Sequence, residues 1–600
     1  MTPAFRYALV WIFGSLVLVV AALTMVAGAR VDGKYVPSSP DAFYHARRIL
    51  DVVMAGEPVR QFDASIHYPD GSWVPWPWGF DTAMATIVGW FGPFAAESDA
   101  AAVLLHLPVA AAVLAVGLLV LLWRQLDLSL TAAALATLAF AVLPMVFLAF
   151  AVGNVDHHFA ELICALLAAC SGIAFFRSTA SVVPAVLLGV VLGLAVAVQN
   201  GLFILQLPVV LALAWRWLRR EPLPPRRAVL ALAAALVTTT LLVSIPSEPW
   251  RGGVFEFYSL SWFHSYVAAA TAVVSIALAI VRPRLASALG LALAAAAVAV
   301  PLLRSAGLGA QFMSGDLAVL RDITEARSPY ALYALFGPAQ STRLFSWLMW
   351  LAPLALLANL YWAVRANEPG RQFFAVAAAM FLVLMQLQYR FGVLGVVPLL
   401  ATLALALDAC SKRWPAWIAA QRIASAVVLV AALTPTAAVW STPRPAGGDP
   451  FYADMYPGLM QLREACERRP GVVLAGINDG HWIRYHTRCS VIGNVFLLTE
   501  QDARKRLEVE TLLATEPARL RHDRADVAYV LVHRELELFV PVLADGRHGQ
   551  GVLRWRTDTL PTLVRELLGP EESLPEGYGA LWSAYLPDGQ ALGRLLEIER

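Results

Sequence analysis

Charge is what this chain has least of. Asp, Glu, Lys and Arg make up 15% of its 600 residues against 59% hydrophobic ones, and the mean hydropathy is +0.63. Soluble domains carry about a quarter charged residues, so a single water-facing globule is excluded. The charges nearly cancel, to a net +2, which leaves no basic footprint for a nucleic-acid partner. No glycine-rich phosphate loop points to a nucleotide. Cysteine is scarce as well, with five in all. Cys164, Cys170 and Cys410 lie in or at the ends of apolar runs, where a thiol behaves as a small apolar side chain. Cys466 and Cys489 lie beyond those runs. They form a disulfide if their side of the membrane is an oxidising periplasm. Two unrelated buried thiols are the equal alternative, since spacing alone does not bring Cα atoms within roughly 7 Å.

What the chain has in quantity is long apolar runs. A membrane-spanning helix takes roughly 20 largely apolar residues, and about thirteen such runs are readable: 7–29, 100–124, 129–152, 157–176, 182–198, 200–218, 227–246, 262–282, 284–303, 343–364, 371–388, 390–409 and 420–440. The expected fold class is a polytopic α-helical membrane protein with a small mixed α/β C-terminal domain. Strand-like Gly471–Ala475 and Val527–His533, separated by helical segments, supply the second half of that reading. The first run has only Arg6 before it and lacks a small-residue cleavage site before the polar loop, so it reads as a retained anchor.

Arginine sets the orientation. With the N-terminus in the cytoplasm, the inner loops hold Arg124, Arg177, Arg216, Arg219, Arg220, Arg226, Arg227, Arg282, Arg284, Arg365, Arg371, Lys412, Arg413 and Arg422, the positive-inside pattern. Loops 30–99 and 304–342, the turns 153–157 and 247–261, and a domain over 441–600 then lie outside. Residues 1–440 form the transmembrane part, placed in a bacterial inner membrane with the C-terminal domain periplasmic.

Asp41, Asp156, His158, Glu325 and Arg390 come from distant segments and fall on that one membrane face. Ionisable groups at a membrane face mark chemistry. Each also has a plainer reading: Asp41 as the N-cap of a helix over 42–54, Asp156 as a cap of the fourth span, Glu325 as a solvated loop charge, and Arg390 as a snorkelling side chain. Trp73, Trp76 and Trp78 read equally well as an interfacial belt. An imidazole two residues after a carboxylate, as in Asp156-x-His158, suits a divalent cation, Mg²⁺ or Mn²⁺, with the nitrogen favouring Mn²⁺. His157 points elsewhere by spacing and reads as supporting or structural.

Asp41-Ala-Phe-Tyr-His-Ala-Arg47, Tyr68-Pro-Asp-Gly71 followed by Trp78-Gly-Phe-Asp81, and Gly153-x-x-Asp-His-His-x-x-Glu161 together resemble the catalytic subunit of N-oligosaccharyltransferases, above all the archaeal and bacterial single-subunit enzymes. The resemblance extends over most of the chain in the same order. It implies the C-type glycosyltransferase fold, thirteen spans with an outer C-terminal domain, and a polyprenyl-linked sugar donor. It implies Asp41, Asp156 and His158 as metal ligands, Glu325 as the residue that meets the acceptor and approaches the metal, and Arg390 as a contact of the donor's pyrophosphate.

The departures concern the acceptor. Where the family carries Trp-Trp-Asp-Tyr-Gly, the pocket for the acceptor's Ser or Thr hydroxyl, this chain reads Gly476-Ile477-Asn478-Asp479-Gly480. Both aromatic walls are missing, and Asn478 or Asp479 is left to bind a hydroxyl. The loop motif opens on Asp322 in place of Thr or Ser. The resemblance therefore implies glycosyl transfer to an outside acceptor, protein asparagine by default, by a single-subunit enzyme. The same chemistry on a lipid, glycan or protein hydroxyl is the alternative. A non-catalytic transporter or scaffold would call for charges deep inside the spans, and few are there.

Overall fold

The structure is a computed structural model, and it describes residues 2–314, 326–336, 344–413, 418–442, 444–449, 451–496, 498–534 and 560–599. Ten of its helices are long and apolar enough to cross a membrane, and three shorter apolar ones, Leu130–Val142, Val183–Val198 and Ala286–Leu302, complete the set. Together they take up every expected run. The third run is broken: its helix stops at Val142 and a second starts at Pro144, because the residue before a proline is driven out of the helical region. The ninth continues to Ser314, into the stretch expected as a loop, where Ala, Leu, Gln and Met favour helix.

Close packing follows small residues. Gly189 and Gly193 lie one turn apart on Val183–Val198, and a Cβ at either would sit 2.7 Å from Leu232 O or Thr239 Cβ of the neighbouring helix Arg226–Ser244. This is the small-xxx-small device by which membrane helices approach without a hydrophobic driving force.

The arginines collect at one end. Arg177 pairs with Glu368 at 2.9 Å, Arg371 with Asp127 at 2.9 Å and Lys412 with Asp408 at 2.6 Å. Arg177 closes the 20-residue helix that His158 opens. At 1.5 Å per residue the two ends are about 30 Å apart, the thickness of a hydrocarbon core.

Two short hairpins, β1 (Arg30–Val31) with β2 (Lys34–Tyr35) and β3 (Phe62–Asp63) with β4 (Ser72–Trp73), flank the helix Pro40–Ala55. The C-terminal domain holds β5 (Val472–Leu474), β6 (Ser490–Val491), β7 (Val527–His533), β8 (Tyr578–Tyr585) and β9 (Ala591–Ile598) in the order β6-β5-β7-β9-β8, parallel on one side of β7 and antiparallel on the other. Every residue of β7 is buried, which explains its unbroken apolar run. A disulfide joins Cys466 to Cys489, with Cα atoms 5.7 Å apart.

The first loop is bound to this domain through backbone. Tyr68 N donates to Val491 O at 3.1 Å, and Val491 N donates to Ser65 O at 2.8 Å. Buried Arg484 reaches Asp63 at 3.3 Å, and Tyr44 donates to the same carboxylate at 2.8 Å. Burial alone would raise the Asp63 carboxyl, but the Arg484 guanidinium and the Ser65 amide hold it below its usual range.

Candidate active site

Ser39 caps the helix Pro40–Ala55 by accepting from Ala42 N. Asp41 is therefore not the cap but a member of the first turn, with its side chain 41% exposed. Asp156 does not cap its helix either; the residue in that place is His157, which makes no side-chain cap bond.

Gly153 brings the two acidic segments together. Its φ is +84°, a left-handed conformation that favours glycine, and a Cβ there would meet Ala29 Cβ at 2.7 Å and Val36 O at 3.0 Å. Ser38 N donates to Gly153 O at 3.0 Å, so the turn carrying Asp156 is tied to the strand of chain that leads into Asp41.

These residues open on a cavity of about 1340 Å³. Asp41, Asp156, His157, His158, Glu161, Arg390 and Asn478 line it, together with Leu207, Val210, Val267, Val274 and Leu302 from three apolar helices. The expected Asp41, Asp156, His158, Arg390 and Asn478 thus all line the same cavity. Asp479 is elsewhere: it is 1% exposed, accepts from Gly476 N at 3.1 Å, and lies 3.1 Å from His533 Nε2. Its neighbour in sequence faces the cavity while it faces the domain core, because the short turn Ile477–Asp479 rotates successive side chains apart. Glu325 and Asp322 lie outside the described residues.

The polar wall is one continuous cluster. Asp156 Oδ2 is 3.5 Å from His158 Nε2, and Asp156 Oδ1 is 2.8 Å from His157 Nδ1. Glu161 is 3.1 Å from His158 Nδ1 and 3.6 Å from His157 Nε2. Burial opposes the charge of Asp156, but the His158 and His157 rings outweigh it and hold the carboxyl well below the usual range. Among the described residues, two groups of three have ligand atoms within 4.8 Å of one another: His45, Asp156 and His157, and His157, His158 and Glu161. Asp41 belongs to neither, whereas His157, expected as a supporting residue, belongs to both.

A divalent cation fits this donor set. Imidazole nitrogens and carboxylates are first-row divalent-metal ligands, and Asp156, His157 and Glu161 are all buried, where a charged group has to be paired or to coordinate a metal.

The C-terminal domain supplies the lid of the cluster. His481 Nδ1 donates to Pro40 O at 3.0 Å and stands 3.9 Å from Asp41, and burial pushes its pKa down to about 3. His45, Asp81 and Glu161 stand in the quoted motifs, but sequence reasoning gave them no role of their own, nor any to Arg48 or His481. His45 had a signal: it follows Asp41 by four residues, on the same helix face.

No protein-family model and no curated protein sequence matches this chain. Solved structures do. The archaeal oligosaccharyltransferase AglB from Archaeoglobus fulgidus, in complex with an inhibitory peptide and a dolichol-phosphate, matches at a TM-score of 0.75 and 16% identity over 97% of this chain and 80% of that one. The Archaeoglobus fulgidus oligosaccharyltransferase tethered to an acceptor peptide containing the NVT sequon matches at 0.74 and 17%, over 98% and 80%. The same enzyme's complex with Zn and sulfate matches at 0.69 and 16%, over 96% and 79%. The likeness is one of fold, along nearly the whole chain.

Proposed function

We propose that this chain is a membrane glycosyltransferase of the oligosaccharyltransferase type, moving a sugar or oligosaccharide from a polyprenyl-phosphate- or diphosphate-linked donor to an acceptor outside a bacterial inner membrane. The observation that carries the reading is a single cavity with two chemistries, lined both by acidic, imidazole and guanidinium groups and by residues of three apolar helices. A lipid-linked sugar has the same two halves. The fold shared with enzymes captured with dolichol-phosphate or acceptor peptide supports it.

The reaction breaks the bond from the anomeric carbon to the donor's phosphate oxygen, which leaves with the electron pair, and forms a bond from that carbon to the acceptor. Attack from the opposite face inverts the anomeric centre. Asp41, Asp156 and His158, with His157 and Glu161 beside them, would hold a divalent cation, Mn²⁺ or Mg²⁺, which supplies charge neutralisation of the leaving phosphate. Arg390, which lines the same cavity, offers the departing oxygens a second positive contact. The resemblance assigns Glu325 to the acceptor, which it would position or relieve of a proton. The apolar helix faces seat the isoprenoid chain and keep water from the reacting carbon. The protein works as a single subunit, with protein asparagine the default acceptor.

One feature favours a different acceptor for the same chemistry. The Gly476–Gly480 segment presents only Asn478 to the cavity and no aromatic wall, so a lipid, a glycan or a protein hydroxyl is the second reading. Mass spectrometry of periplasmic proteins and glycolipids, with and without the gene, tests both. A glycan lost from proteins supports the first, one lost from lipid or glycan supports the second, and an unchanged profile of both refutes the transferase.

A further inference from the structure

Behind the expected ligand set lies a second one. His45 is fully buried, and its ring lies flat on Trp76, centroids 4.0 Å apart and planes at 19°. Its Nδ1 is 2.6 Å from Asp81 Oδ1. A carboxylate only accepts, so Nδ1 carries the proton and donates. Arg48 stands 2.6 Å from Asp81 Oδ2. Nε2 of His45 is left with a lone pair, and before it stand His157 Nδ1 at 3.3 Å and Asp156 Oδ1 at 4.0 Å.

The third side of that triangle, His157 Nδ1 to Asp156 Oδ1, is 2.8 Å. A four-coordinate ion with bonds of about 2.0–2.2 Å spaces its ligand atoms by roughly 3.3–3.6 Å, and the three sides straddle that spacing. His157 Nε2, on the far side of its ring, faces Glu161 Oε1 at 3.6 Å. Each imidazole thus has a carboxylate behind it, the arrangement that orients metal-bound histidines. Asp156 and His157 are 5% and 2% exposed. Both line the cavity while His45 does not, so a fourth coordination position opens towards the substrate side.

We propose that His45 Nε2, His157 Nδ1 and Asp156 Oδ1 form a buried site for a divalent transition-metal ion of the zinc type, distinct from the Asp41, Asp156 and His158 set but sharing Asp156. Two imidazoles and one carboxylate favour such an ion over Mg²⁺, which prefers oxygen ligands and keeps its waters. Asp81 is the positioning residue. The inference does not rest on the transferase reading, because metal binding is measured without donor or acceptor.

The test is a Co²⁺ titration of the metal-stripped full chain in detergent, followed by the visible absorption of four-coordinate cobalt, in excess Mg²⁺. Wild type should show a saturable band that Mg²⁺ does not remove. His45→Gln should weaken binding at least 100-fold, Asp81→Asn about 10- to 100-fold, and Asp41→Asn should leave the band in place. Retention of wild-type affinity by His45→Gln overturns the proposal, as does loss of the band in Asp41→Asn alone. Should His45→Gln fail to fold, anomalous difference density from Co²⁺-soaked wild-type crystals decides: a peak bonded to His45 Nε2 supports the site, and one seen only beside Asp41 and His158 overturns it.

Discussion

The two ends of the site treat their carboxylates in opposite ways. Asp479, in the segment that stands where an acceptor-reading motif is expected, is consumed by the fold, with one oxygen on the Gly476 amide and both within 3.1 Å of His533. Asp156, also buried, is ringed by imidazoles at the cavity, with His157 Nδ1 at 2.8 Å, His158 Nε2 at 3.5 Å and His45 Nε2 at 4.0 Å. Imidazoles gathered around one buried carboxylate are a donor set for a divalent ion. The difference teaches that the Asp156 end gathers donor atoms at the cavity, whereas the Asp479 position holds a domain together.

The largest effect that could break this contrast is at Asp156. Asp156→Asn, or removal of divalent ions by EDTA, should lower glycosyl transfer by about 10²–10³-fold or more, the scale of losing charge stabilisation in a water-poor site, with Mn²⁺ or Mg²⁺ restoring the wild type. A transfer assay on an Asp41→Ala, Asp156→Ala double variant that shows full activity without metal would remove the Asp156 end from the chemistry.

Next in size is the bridge that frames the other end. Cys466 and Cys489 are 23 residues apart, and closing a loop of that order stabilises by about 2–4 kcal/mol. Thiol labelling of the denatured, unreduced chain should count three cysteines, Cys164, Cys170 and Cys410. Labelling of all five would refute the bridge.

Asp479→Ala sharpens the comparison further. It should destabilise the C-terminal domain by about 1–3 kcal/mol by stranding the Gly476 amide, read as a lower melting temperature, with transfer per folded molecule little changed. A large loss of transfer at unchanged stability would return Asp479 to the substrate.

The smallest effect is expected at Asn478. If the usual hydroxyl pocket is gone, peptides differing only by Thr→Ala two residues after Asn should be used within a few-fold of each other. A neutral hydrogen bond is worth only about 0.5–1.5 kcal/mol. A strong preference for Thr that Asn478→Ala abolishes would show a working pocket in altered form.

The spans were legible because a bilayer imposes both a length and a composition, and hydropathy reports each directly. The break at Leu143–Pro144 and the extension to Ser314 were not, since a proline and a helix-favouring tail act within a run without changing its hydropathy. In the C-terminal domain β5 and β7 were legible as apolar runs, while β8 and β9 were not: Tyr578–Tyr585 lies half-buried at an edge, and Ala591–Ile598 carries Arg594, buried by hydrogen bonds to Ser583, Leu567 O and Gly569 O. In the site, Asp41, Asp156, His158 and Arg390 stood out as charges beside apolar runs. His45, Asp81 and Arg48 did not, because opposite charges that neutralise one another in the interior look, in sequence, like an ordinary polar helix face.

By itself the sequence determined that this chain lives in a membrane, roughly where it crosses, and that acidic and imidazole groups from distant segments fall at one face. Only the tertiary structure decided which of those groups share a site. Membership depends on distances of a few ångströms between residues such as His45 and His157, 112 positions apart. Those distances are set by Gly153 packing against Ala29 and Val36 and by the C-terminal domain closing over Pro40, contacts that no local pattern encodes.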